Sequence, residues 1–200
     1  MYSITGTSLI GLTKGTDGLW LEVTAPTSGM TLDTTASTYA VGCRIFNTAD
    51  GIAFYNAGTV AAPVWESGIL SKTISLTAAQ LISFYTTSIE VIPAVAGKAI
   101  IMDSMEFDLT GTSTQFTGGG VVNLQYASTA NGAGTTLHAD IAASVVTGAT
   151  ARVITVRIPK DLSAIATASI TGIGVFIGCK TGVFATGTGT AQVRVKYHLV

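Results

Sequence analysis

The chain has 200 residues, 48% of them hydrophobic and only 10% charged, where soluble domains average about 25% charged. Its 23 glycines, 32 threonines and four prolines exclude a collagen-like repeat, a disordered chain and a long coiled coil. Ten basic against eleven acidic residues leave a net charge of −1. The cations Arg44, Lys72, Lys98, Arg152, Arg157, Lys180 and Arg194 are scattered singly, a pattern that excludes a phosphate-binding stripe and hence a nucleic-acid partner. Thr, Val and Ile suit strands and Gly supplies turns, so the composition is that of an all-β protein. So thin a charged surface also fits a subunit covered by its own copies.

Met1 to Gly6 shows neither a basic n-region nor an apolar h-region, so no signal peptide is read there. Residues 1–68 read as a small hairpin-rich module. Leu19, Leu21 and Val23 alternate with Trp20 and Glu22, which is strand periodicity. Tyr39 to Thr48 is a second strand, Asp50-Gly51 a turn, and Ile52 to Tyr55 the return strand. Asn56-Ala57-Gly58-Thr59 makes another turn before Trp65. Trp20, Phe46, Phe54 and Trp65 are the large apolar residues of a unit too small to fill its own core. The unit is expected to pack on the second domain, on its own copies or on a larger host, and these four are its candidate anchors.

The texture changes at Ser67 to Lys72, and residues 73–200 read as a second domain. Thr77-Ala78-Ala79-Gln80 fits a capping box, and Leu81, Ile82 and Tyr85 continue at helical spacing toward Thr86-Thr87. Strands are expected at Ile89–Ile92, Lys98–Leu109, Val121–Ala127, Arg152–Ile158, Ile170–Ile177 and Ala191–Leu199. In the last, Val193, Val195, Tyr197 and Leu199 face one way and Arg194, Lys196 and His198 the other. Leu137 to Val146 fits strand or helix equally. The sum is a jelly-roll-like β-sandwich with one short helix. Leu162 to Cys179 lacks charge and contains Gly174-x-x-x-Gly178, yet its Ser, Thr and Gly content marks a buried strand and its lead-in loop rather than a membrane span.

Motifs of catalysis are missing. Cys179 separates Gly178 from Lys180 and spoils a phosphate loop, and Ile177 stands where a dinucleotide fingerprint needs its third Gly. There is no Gly-x-Ser-x-Gly elbow, and His138 and His198 have no Cys-x-x-Cys to complete a zinc site. Glu106 and Asp108 share a strand face near Asp103 and could offer oxygens to a hard cation, the plainer reading being a wet strand face. His138 and Asp140 read as a surface pair. Cys43 and Cys179 read as two buried free thiols. Trp20, Tyr39, Tyr55 and Trp65 could stack on sugar rings, or serve as core and interface residues. On these residues the chain is not an enzyme and holds no metal or cofactor.

The run Gly42 to Gly51, continued by Phe54 to Thr59 and Pro63-Val64-Trp65, resembles a segment of small virion proteins of tailed bacteriophages. Leu76 to Leu81, Glu90 to Ala94, Gly97 to Ile101 and Tyr126 resemble another phage-encoded structural module. The resemblance covers roughly residues 38 to 127 and rests on turns and strand pairs. It implies a non-enzymatic capsid decoration or head-fibre protein, a homo-oligomer on the capsid exterior with the major capsid protein or other virion proteins as partners. A trimer is the favoured assembly. The alternative is a phage tail adhesion protein that binds a receptor or a host-surface glycan, and, more distantly, a bacterial surface lectin-like domain.

Overall fold

Residues that alternate apolar and polar form the strands, and the computed structural model of the chain shows how they pair. It describes residues 3–5, 20–24, 41–42, 44–47, 52–110, 114–137, 140–148, 152–157 and 165–200, with the backbone alone for 3–5, 20–24, 45–47 and 152–157. The first sheet holds β1 (Ser3–Thr5), β2 (Trp20–Thr24), β3 (Arg44–Asn47), β4 (Ile52–Asn56) and β5 (Trp65–Ser67), side by side in chain order. From β3 onward the pairing is antiparallel, as hairpins require, but β1, β2 and β3 pair in parallel. Period-two alternation carries no strand direction, and the connections 6–19 and 25–43 are long enough for parallel crossovers. The turn after β4 is held by Asn56, whose Oδ1 accepts from Gly58 N at 3.0 Å and Val64 N at 3.1 Å.

The rest of the chain gives β6 (Leu70–Leu76), α1 (Ala78–Ser83), β7 (Ile89–Ile92), β8 (Ile100–Leu109), β9 (Thr117–Gly118), β10 (Val122–Tyr126), β11 (Thr135–Thr136), α2 (Ala143–Val146), β12 (Arg152–Arg157), β13 (Val175–Cys179), β14 (Phe184–Ala185) and β15 (Ala191–Leu199). Two four-stranded sheets, ordered β12-β8-β15-β6 and β11-β10-β13-β7, face each other. The pairs β6–β15, β7–β13, β8–β12 and β10–β11 are antiparallel and nested one inside the next. Residues 70–199 are thus one long hairpin rolled across two sheets, which is jelly-roll topology. Between the sheets lie Met105, Phe107, Leu109, Val193 and Val195 from one side and Val122, Leu124, Val175 and Ile177 from the other, all 2% exposed or less.

Local sequence explains the exceptions to regularity. In α1 the Thr77 hydroxyl accepts from Gln80 N at 3.3 Å while Gln80 Oε1 accepts from Thr77 N at 2.8 Å, so the capping box forms as expected. The helix closes at Ser83 rather than near Thr86-Thr87, because the N–H groups of both threonines turn back to Ser83 O. Of the ambiguous segment, Ala143–Val146 form α2, a single turn, while Ile141 makes an antiparallel bridge to Val122. The strand expected at Ile170–Ile177 begins only at Val175, since residues 167–169 form a 3-10 turn that still buries Ile170. No helix among the described residues is long and apolar enough to cross a membrane.

The first sheet is docked on the sandwich. Phe54 and Trp65 belong to the common core. Lys98 Nζ donates to Trp65 O and stands 5.3 Å from the Phe54 ring centre, a cation–π arrangement. Leu199 N, at the end of β15, donates to Ser67 Oγ at 2.8 Å.

Candidate functional site

The two sheets of the sandwich differ on their outer faces. On β10 all five residues are buried, including Asn123 and Gln125, which point away from the core. Gln125 gathers the loop after it: its Nε2 donates to Ala127 O, Thr129 O and Thr129 Oγ1, and its Oε1 accepts from Gly134 N. Over Asn123 and its neighbour Gly178 runs the segment Phe84–Ser88, with Cys179 N donating to Phe84 O at 3.1 Å. That face is covered.

The outer face of β8-β15-β6 is uncovered among the described residues. Cross-strand register lays its polar residues in rows: Ser71, Lys196 and Ser104 in one, Thr73, Arg194 and Glu106 in the next, Ser75, Gln192 and Asp108 in a third. Short Ser and Thr side chains between long charged ones leave a depression of about 380 Å³ lined by Ser71, Thr73, Ser104, Glu106, Arg194 and Lys196. Asp103 is the extra residue of a β-bulge in β8, between the partners of Lys196 and Tyr197. It reaches His198 Nδ1 at 3.3 Å.

Electrostatics on this face are mostly settled within it. The Arg194 guanidinium donates to Glu106 Oε1, to Asp108 Oδ2 at 3.4 Å and to Gln192 Oε1 at 2.6 Å. The Glu106 hydrogen bond is the main cause holding the Arg194 pKa above its ordinary value. The two carboxylates read as possible cation ligands therefore serve an arginine. No group of three or more His, Cys, Asp or Glu stands together among the described residues. Lys196 has no ion-pair partner among them either.

Of the anchor candidates, Phe54 is 6% and Trp65 2% exposed, so both face the core of this chain. The side chains of Trp20 and Phe46 lie outside the described residues. Of the residues considered for sugar stacking, Trp65 is thus enclosed, Tyr39 is outside the described residues, and Tyr55 is exposed. The Tyr55 hydroxyl donates to Glu66 Oε2 at 3.0 Å, and this bond is the first cause raising its pKa. Exposed large apolar side chains do occur in the first module, Val41, Tyr55, Val60 and Val64, with Ile69 directly after it and Ile165 and Val183 in the sandwich. Apart from Tyr55, these are isolated aliphatic residues outside the strands and helices, which give no periodic signal in the sequence.

Cys179 is buried and free, its Sγ donating to Gly182 O at 3.1 Å; Cys43 is outside the described residues. Asp140 pairs with Lys180 at 2.8 Å, and His138 is outside the described residues.

No family model matches the chain, and no curated protein matches it. Among solved structures it is similar to a glycoside hydrolase family 43 arabinoxylan arabinofuranohydrolase from Bacillus subtilis in complex with cellotetraose. The identity is 17% and the TM-score 0.25, over 78% of this chain and 32% of that one. The chain spans about a third of that enzyme's length, and a likeness at this level carries no argument about activity.

Proposed function

We propose that the chain is a non-enzymatic structural subunit of a phage virion, a homo-oligomer on the capsid exterior whose first module makes the contacts. The observation that carries this reading is the distribution of exposed apolar side chains. Four of the seven large ones among the described residues, Val41, Tyr55, Val60 and Val64, lie on a module fixed to the sandwich by Lys98 and Ser67, and a fifth, Ile69, directly follows it. Apolar groups left in water on a module tied to the sandwich favour a protein interface. The resemblance of residues 38–127 to phage structural proteins supplies the setting.

Trp65 and Phe54 then act as the floor that holds the module, and Val60, Val64 and Ile69 as its contact side chains. Light scattering of the purified chain tests the assembly. A trimer gives roughly three times the 20.4 kDa monomer mass, with interfaces above about 2,000 Å² each. Val64→Asp with Ile69→Asp should lower that mass without unfolding the chain. A monomer at micromolar concentration would overturn the reading.

A further inference from the structure

On the face of β8-β15-β6 one row holds a cation with no described carboxylate in it. Lys196 stands directly between Ser71 on β6 and Ser104 on β8, and Arg157 on β12 occupies the register position next to Ser104. No described carboxylate is paired with Lys196, since Glu106 and Asp108 are held by Arg194. No described residue bonds to the hydroxyls of Ser71, Thr73 or Ser104. An ammonium flanked by two free hydroxyls is a set of donors suited to a carboxylate or sulfate group. The adjoining row offers the reverse mixture: Glu106 accepts, Arg194 donates and Thr73 does both, which suits the hydroxyls of a sugar ring. The depression of about 380 Å³ lies in the range of small-ligand sites.

No aromatic among the described residues lines it, so a neutral sugar would find no ring there to stack on, whereas a charged one would find Lys196. The geometry points to a binding site for an acidic saccharide, its oxyanion on Lys196, Ser71 and Ser104 and its ring hydroxyls over Thr73, Arg194 and Glu106. This goes beyond the assembly reading and stands or falls apart from it, because the site is on the sandwich and the proposed contacts are on the first module.

Titration of the whole protein with methyl glucuronide, followed by backbone amide shifts, tests it. The amides of residues 71–73, 104–106 and 194–196 should move together and saturate. Loss of one charge-assisted contact lowers affinity about tenfold, so Lys196→Gln and replacement of the ligand by methyl glucoside should each have that effect. Lys180→Gln, whose partner Asp140 lies elsewhere, should leave binding unchanged. Three results would overturn the site: no shifts at about tens of millimolar ligand, glucoside binding as tightly as glucuronide, or inorganic sulfate matching glucuronide. The last would reduce it to an anion site with no saccharide specificity. Light scattering on the Lys196→Gln variant keeps the two proposals apart, since its mass should equal that of the parent.

Discussion

Lys98 Nζ lies 2.6 Å from the carbonyl oxygen of Trp65, a bond from the start of the β8 region to the first residue of β5. Burial pushes the Lys98 ammonium below its ordinary pKa, and Glu66 only partly opposes this. A desolvated cation is kept there because it serves a backbone acceptor and the Phe54 ring together. Lys98→Met removes both while keeping the stem, deleting the ammonium bond to the Trp65 carbonyl. The expected loss is about 1–3 kcal/mol, read by urea unfolding. A loss below about 0.5 kcal/mol would show that the tie is dispensable.

Trp65→Ala should act on stability first. At 2% exposed in the common core, the indole leaves a cavity under the module, costing about 3–5 kcal/mol. Differential scanning calorimetry should show a large fall in Tm. An unchanged Tm with weakened self-association would return Trp65 to the role of an interface anchor.

Two glycines with the same backbone demand separate strain from space. Gly97 (φ +68°) and Gly119 (φ +79°) both sit in the left-handed region, but a Cβ on Gly97 meets nothing whereas one on Gly119 would enter the Phe184 ring. Gly97→Ala should cost about 1 kcal/mol, and Gly119→Ala about 1–3 kcal/mol beyond that. Equal losses on chemical denaturation would contradict the packing of Phe184 against the β9–β14 loops.

The alkaline side of the stability curve belongs to Tyr126. Its hydroxyl donates to Ile100 O at 2.6 Å, and burial raises its pKa to about 12. Between the unfolded value near 10 and the folded value the unfolded chain releases the proton first, so stability falls as pH rises through that window. The drop is about 2–3 kcal/mol by pH 12. Burial moves Tyr197 the same way, while Lys98, with its lowered pKa, adds stability as pH climbs toward 10.5. Tyr126→Phe should therefore flatten the decline above pH 10, though it forfeits the bond to Ile100. Parallel curves for the two proteins would remove Tyr126 as the cause.

Most of the sandwich is legible in the sequence where one face is wet. β15 and β7 fall where alternation places them, and α1 is announced by Thr77 and Gln80. β6 is not, because Lys72 takes an inward register position opposite Val195 and breaks the apolar rhythm of Leu70, Ile74 and Leu76. On an edge strand its stem can lie along the core while the ammonium reaches water. β10 misleads differently. Asn123 and Gln125 alternate with Val122, Leu124 and Tyr126 as a half-exposed strand would, and only tertiary contacts from Phe84–Ser88 and residues 127–134 bury them. The charged face was readable as a face, but not as a depression. Which hydroxyls flank Lys196 depends on pairing β6 and β8 to β15, partners far away in the chain.

Nesting of the strand pairs has a kinetic consequence. β15 occupies the middle of its sheet, between β8 and β6, so before it inserts, each of these strands presents an unsatisfied edge. Its pairing with β6 joins Leu76 to Ala191, and such distant closure is entropically late and slow. Assembly of the jelly roll should thus pass through a species with two adjacent ladders open at once. That species is most exposed to capture of β8 or β6 by the β15 of a neighbouring chain, so refolding yield should fall as protein concentration rises.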